Sequence, residues 1–138
     1  MRKVTHIVIH CTATPQGATV EAIQKYWRET MKWSRPGYHR IIKQDGTVVV
    51  LEKYINPTNG VAGHNAHSIH ICYIGGVDRN NVPVDNRTPA QLYAMEKLIR
   101  ELKATLPNAI VCGHRDFPGV KKACPSFDVK TWLKSIGL

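Results

Sequence analysis

No apolar run in the 138 residues approaches the roughly 20 needed to cross a bilayer as a helix. The opening Met1-Arg2-Lys3-Val4-Thr5-His6 has no apolar signal-peptide core and no small-residue cleavage site, so synthesis in the cytoplasm is expected. None of the four cysteines, at 11, 72, 112 and 124, forms a C-x-x-C pair. That excludes a zinc ribbon and a thioredoxin-type redox motif. There is no internal repeat, low-complexity stretch or linker, and the length suits one domain, 1–138. Acidic residues are scarce: 10 against 19 Lys and Arg, a net charge of +9. Such a balance favours a polyanionic partner, whether nucleic acid, anionic membrane surface or anionic cell wall. The basic residues are scattered, with Arg2-Lys3 and Lys121-Lys122 the only adjacent pairs, which weakens the nucleic-acid reading.

What is present reads as alternating strands and helices. Thr5 to His10 is β-branched and mostly apolar, as a central buried strand should be. Thr19 is placed to cap a helix running to about Met31, with Val20, Ile23 and Trp27 at helical spacing. Strands are expected over Tyr38 to Lys43 and Thr47 to Leu51, joined at Gln44-Asp45-Gly46. A long loop from Glu52 to Ser68 leads to a strand over Ile69 to Ile74, and a polar loop follows to Asn86. The clearest element is a helix from Pro89 to about Leu106, with Thr88 as cap and Gln91 completing a capping box. Leu92, Met95, Ile99, Leu102 and Leu106 form its apolar stripe. A short strand spans Ala109 to Cys112, and Ser126 is positioned to cap a last helix burying Val129, Trp132, Leu133 and Ile136. The order implies an α/β fold: a central mixed sheet of about five or six strands flanked by about three helices.

The histidines matter by placement. His10 ends the first strand, and His114 follows the strand Ala109 to Cys112 after a glycine. Open α/β sheets build sites at such strand ends. Cys124 lies ten residues further on, outside any strand pattern, whereas Cys11, Cys72 and Cys112 read as buried reduced thiols. Two imidazoles and a thiolate make a good set for zinc and leave a fourth position open. Taken singly, each is as well explained as a surface or hydrogen-bonded residue.

Several segments resemble the zinc-dependent N-acetylmuramoyl-L-alanine amidases (the type 2 amidase domain), nearest to the bacteriophage endolysin branch. The same fold is shared with peptidoglycan-recognition proteins. The segments are Ile7-Val8-Ile9-His10-Cys11-Thr12-Ala13-Thr14, Gly37 to Thr47, Gly63-His64, Ser68-Ile69, Gly75-Gly76-Val77-Asp78, Thr88-Pro89-Ala90-Gln91, Gly113-His114-Arg115-Asp116 and Lys122 to Asp128. The resemblance implies that His10, His114 and Cys124 hold one Zn2+. It implies that Tyr38 stands beside the reacting carbonyl, that Lys122 is catalytic, and that His64 lies at the rim of the substrate groove. Asp116 or Asp128 could accept from a ligand imidazole, although Asp128 also suits the first turn of the last helix. The sequence departs from the relatives' Asn-Ser-Ile-Gly pattern at His67 and His70, and neither is taken as a ligand. His6 and His39 read as structural.

The implied activity is hydrolysis of the amide between the lactyl group of N-acetylmuramic acid and L-alanine in peptidoglycan. The enzyme would reach the cell wall after export or lysis and work as a monomer, without specific nucleic acid or membrane insertion. The competing reading is a non-catalytic peptidoglycan-binding module of the same fold. A nucleic-acid-binding protein, suggested by charge alone, lacks a basic helix, an aromatic-basic motif or finger spacing.

Overall fold

The computed structural model describes residues 2–138. Its centre is β1 (His6–Cys11), buried from Ile7 onward. Side chains alternate along a strand, so Ile7, Ile9 and Cys11 face one layer while Val8 and His10 face the other. β4 (Ser68–Tyr73) pairs with β1 in parallel, Val8 beside His70 and His10 beside Cys72. β5 (Ile110–Gly113) pairs in parallel on the other edge of β1. β2 (Arg40–Ile42) adds to β4 in parallel, and β3 (Val48–Val50) closes an antiparallel hairpin on it. The result is a five-stranded mixed sheet in the order β3-β2-β4-β1-β5, within the expected fold class.

Three helices cover the sheet. α2 (Pro89–Thr105) is the crossover between parallel strands β4 and β5. It buries Met95, Ile99 and Leu102 against Ile7, Ile9, Ile69 and Ile71. α3 (Val129–Ser135) joins the same layer through Val129, with Trp132 and Leu133 half-buried. α1 (Val20–Glu29) lies on the opposite face, where Val20 meets Ile41, Cys72 and Ile74. Among the described residues no helix is long and apolar enough to cross a membrane.

Several boundaries differ from the sequence reading. The Thr88–Gln91 capping box forms as expected: the Gln91 N–H donates to Thr88 Oγ1 at 3.1 Å, and the Thr88 N–H donates to Gln91 Oε1 at 2.9 Å. Leu92 is exposed, and Gln91 is buried instead. Its Nε2 donates to Ile42 O and Ile74 O, tying the helix to the ends of β2 and β4. Ser126 does not cap the last helix. Its Oγ donates to Gly76 O at 2.8 Å, and Asp128 is the cap, accepting from the Thr131 N–H at 3.2 Å. α1 stops at Glu29, with the Thr30 N–H bonded back to Tyr26 O. The hairpin strands are shorter than expected, since Tyr38 and His39 precede β2.

Candidate metal centre and its groove

The parallel strands β1 and β5 end on the same side of the sheet. That brings His10, at the end of β1, beside His114, in the turn directly after β5, with their ring centroids 4.9 Å apart. The segment after that turn folds back so that the Arg115 N–H donates to Cys124 O at 2.9 Å, which carries the Cys124 thiol under the two imidazoles. One donor atom from each of His10, His114 and Cys124 lies within 4.8 Å of the others. His10 Nδ1 is 3.9 Å from Cys124 Sγ. The Cys11 N–H also points at Cys124 Sγ, at 3.2 Å. The structure thus brings together the three residues proposed as ligands from the sequence.

Electrostatics keep the two imidazoles neutral. Burial, reinforced by His70, His114 and Lys122, holds His10 well below the usual histidine range. Burial and the nearby Lys122 also lower His114. Neutral imidazole is the form that can coordinate a cation. The Cys124 thiol is pushed up by its hydrogen bond with Cys11 and by burial, so a cation is needed to draw off its proton.

A groove of about 590 Å³ opens over this cluster. Cys124, His114, Lys122 and Tyr38 line it, together with apolar Ala18 and, from α1, Ile23 and Trp27. The Tyr38 ring packs 4.9 Å from that of His10 and edge-on to Trp27. Its hydroxyl donates to Cys11 O across a long 3.4 Å. Burial, and after it the neighbouring cysteines, push the phenol well above its ordinary range, so it acts as a proton-bearing donor at neutral pH. Lys122 is exposed on the rim. Asn59 and Gly60, from the long loop before β4, also line the groove.

Other expected residues fall elsewhere. His64 is exposed and packs against Phe117, with ring centroids 4.5 Å apart, outside the lining of this groove. Asp116 Oδ2 accepts from the Gly113 N–H at 2.8 Å, and Asp128 caps α3, so both aspartates bond backbone rather than an imidazole. The partner of His10 is instead His70: His10 Nε2 lies 2.8 Å from His70 Nδ1, and both side chains are buried. His39 is structural, as expected. Its Nδ1 accepts from the His70 N–H at 3.0 Å and its Nε2 bonds Asn56 O at 2.6 Å. Sequence reasoning missed His70, Asn59 and Gly60. Strand alternation carried the signal for His70, because β1 and β4 in parallel place positions 8, 10 and 70 on one face.

Comparison with known proteins agrees with this geometry. A family model described as N-acetylmuramoyl-L-alanine amidase matches residues 1–127. The endolysin of Enterobacteria phage K11 is 34% identical over 135 residues, covering 97% of this chain and 88% of that protein. The solved endolysin of bacteriophage Ph2119, from Thermus scotoductus MAT2119, superposes with a TM-score of 0.83 at 23% identity, over 99% of this chain and 86% of that one. A human peptidoglycan-recognition protein, PGRP-IBETAC, solved in complex with glycosamyl muramyl pentapeptide, superposes with a TM-score of 0.78 at 18% identity, over 99% of this chain and 85% of that one. The ordered strand-end cluster, the groove above it and a match that spans nearly the whole chain make this protein a member of the N-acetylmuramoyl-L-alanine amidase family, similar to phage endolysins.

Proposed function

We propose that this chain is a zinc-dependent peptidoglycan amidase that hydrolyses the bond between the lactyl group of N-acetylmuramic acid and L-alanine. The observation that carries the reading is the convergence of His10, His114 and Cys124, two of which, His114 and Cys124, line a groove that also presents Tyr38 and Lys122. The donor set fits zinc. Ligand bonds of about 2.0 Å to nitrogen and 2.3 Å to sulfur in a tetrahedron put the two donors about 3.5 Å apart, near the 3.9 Å between His10 Nδ1 and Cys124 Sγ. Three protein ligands leave the fourth position that catalytic zinc requires.

Bound there, zinc would supply Lewis acidity to water and to the scissile carbonyl. The chain's own residues supply the rest. The apolar side chains of α1 and the loop at Asn59 and Gly60 hold the sugar-peptide junction over the cluster. Lys122 offers a positive charge to the oxyanion that develops as the carbonyl is attacked. Tyr38, held neutral by its burial, donates a hydrogen bond and cannot serve as a base near pH 7. Its long bond to Cys11 O leaves the hydroxyl free to turn to substrate. The surplus of cations suits a wall rich in carboxylates and phosphodiesters. The presence of all three ligands together with Tyr38 and Lys122 favours the enzyme over a binding module that has lost catalysis.

The test is mass spectrometry of purified peptidoglycan digested with and without a chelator. New L-alanine amino termini and free muramic acid carboxyls, lost on chelation and in Cys124→Ala, are expected. Reducing sugar ends would identify a glycosidase and overturn the reading, as would full activity in Cys124→Ala.

A further inference from the structure

His70 is fully buried. The β1–β4 register sets it diagonal to His10 on the same face of the sheet. Its ring touches His10 on one side and Asn65 on the other: Nδ1 lies 2.8 Å from His10 Nε2, and Nε2 lies 2.8 Å from Asn65 Oδ1. The fold accommodates the ring by an absence at position 60. A β-carbon there would sit 2.3 Å from His70 Nδ1, so only glycine lets the imidazole in.

The hydrogen positions in this chain of contacts are fixed by one backbone group. The Val61 N–H can only donate, and it donates to Asn65 Oδ1 at 2.8 Å. That orients the amide with its oxygen toward both Val61 and His70. An oxygen facing His70 Nε2 requires the hydrogen on Nε2. His70 Nδ1 then carries the lone pair and accepts from His10 Nε2–H. His10 Nδ1 is left as a bare lone pair, and Nδ1 is the atom that faces Cys124 Sγ at 3.9 Å.

We infer that His70 is a positioning residue for His10: the relay Val61–Asn65–His70 fixes the tautomer and ring orientation of His10, so that Nδ1 is presented to the cation. The inference rests on the proposed zinc site for its purpose, but the relay itself belongs to the metal-free protein. Metal-bound histidines commonly donate their other ring N–H to an oxygen of a carboxylate, a carbonyl or water. Here a neutral imidazole takes that place, and a side-chain amide anchors it. Asp116 and Asp128, the acceptors suggested by sequence, are committed to backbone N–H groups.

The experiment has two arms. In the first, long-range proton–nitrogen correlation spectra of 15N-labelled, metal-free wild-type protein report the imidazole tautomers directly. Both His10 and His70 are expected as the Nε2–H form. His10 found with its hydrogen on Nδ1 overturns the relay, and this arm needs no variant that must fold. In the second, zinc affinity is measured by chelator competition for wild type and His70→Gly, with near-UV circular dichroism confirming the fold. The variant should bind zinc about 10- to 100-fold more weakly. Its cobalt-substituted form should show shifted d–d bands, which loss of packing alone would not produce. Unchanged affinity and an unchanged cobalt spectrum overturn the inference. A wild-type protein with no zinc affinity would instead sink the proposed metal site, while the tautomers would still decide the relay.

Discussion

Gly60 faces the edge of the His70 imidazole so closely that a methyl group on its Cα would lie 2.3 Å from Nδ1 and 2.4 Å from Cγ. The two positions are therefore coupled by volume. Gly60→Ala forces either the ring or the loop to move, an overpacking that costs ~1–3 kcal/mol. The same change in a His70→Gly background no longer meets the ring and should cost less. A double-mutant cycle from urea unfolding of the four proteins is expected to give a coupling of ~1–3 kcal/mol. Additive single effects would show that the ring does not occupy this place.

Tyr38 and Lys122 line the groove without being among the proposed metal donors, so ligand binding and chemistry should separate. Lys122→Ala and Tyr38→Phe are expected to retain zinc at wild-type affinity while kcat falls about 10²- to 10³-fold, the scale of losing one oxyanion donor. His114→Ala should lose zinc and activity together. Lys122→Ala should also leave stability unchanged, because the side chain is exposed. Equilibrium zinc titration beside initial rates on purified peptidoglycan distinguishes the cases, and a Lys122→Ala protein with unchanged kcat would remove that residue from the chemistry.

Gln91 shows where local sequence signals stop. Thr88 with Gln91 three residues on announces a helix start, because the capping box is a purely local exchange of hydrogen bonds. The other end of the same amide reaches Ile42 O and Ile74 O, an arrangement that exists only once β2 and β4 lie side by side. The same division runs through the site. His10, His114 and Cys124 were legible because strand ends and an ordered family pattern point to them. His70 was not, because its meaning depends on the register of β4 against β1 and on a missing side chain at position 60. Asp128 over Ser126 as the cap of α3 is another case. Ser126 has a positive φ of 68° and bonds Gly76 across the fold, a tertiary contact that no local rule displays.

The far end of Gln91 also has a measurable weight. Gln91→Leu keeps volume and removes every polar contact. The Thr88 N–H loses its acceptor and Ile74 O loses the amide donor, both in partly or fully buried surroundings. Buried polar groups left unpaired cost ~1–3 kcal/mol each. A loss of about 2–6 kcal/mol in urea unfolding is expected, more than the ~1 kcal/mol of a surface cap alone. A loss no larger than the cap value would mean that the sheet contacts contribute nothing.

Buried neutral imidazoles make the metal-free fold acid-sensitive, and the direction follows from their shifts. Burial lowers His39 from 6.5 to about 4, against the opposing pull of its bond to Asn56 and with Arg2 and Arg40 adding to the shift. Burial likewise lowers His70, to about 3, with His39, His114 and Arg2 adding to the shift. The unfolded chain therefore takes up protons at these positions below about pH 6.5, while the folded chain refuses them until about pH 4 or lower. Stability is flat in this respect above pH 6.5 and declines as pH falls through the window below it. Between pH 7.5 and 5 each residue should remove on the order of 2 kcal/mol. Carboxylates ordinarily titrate near or below 4.5, so they contribute little to that interval. Urea midpoints of chelator-treated protein across the interval should fall steadily. In His39→Gln, which keeps a donor and an acceptor but cannot titrate, the slope should be smaller by the share of one proton. A pH-independent midpoint in the wild type would mean that these imidazoles reach solvent and accept protons in the folded state.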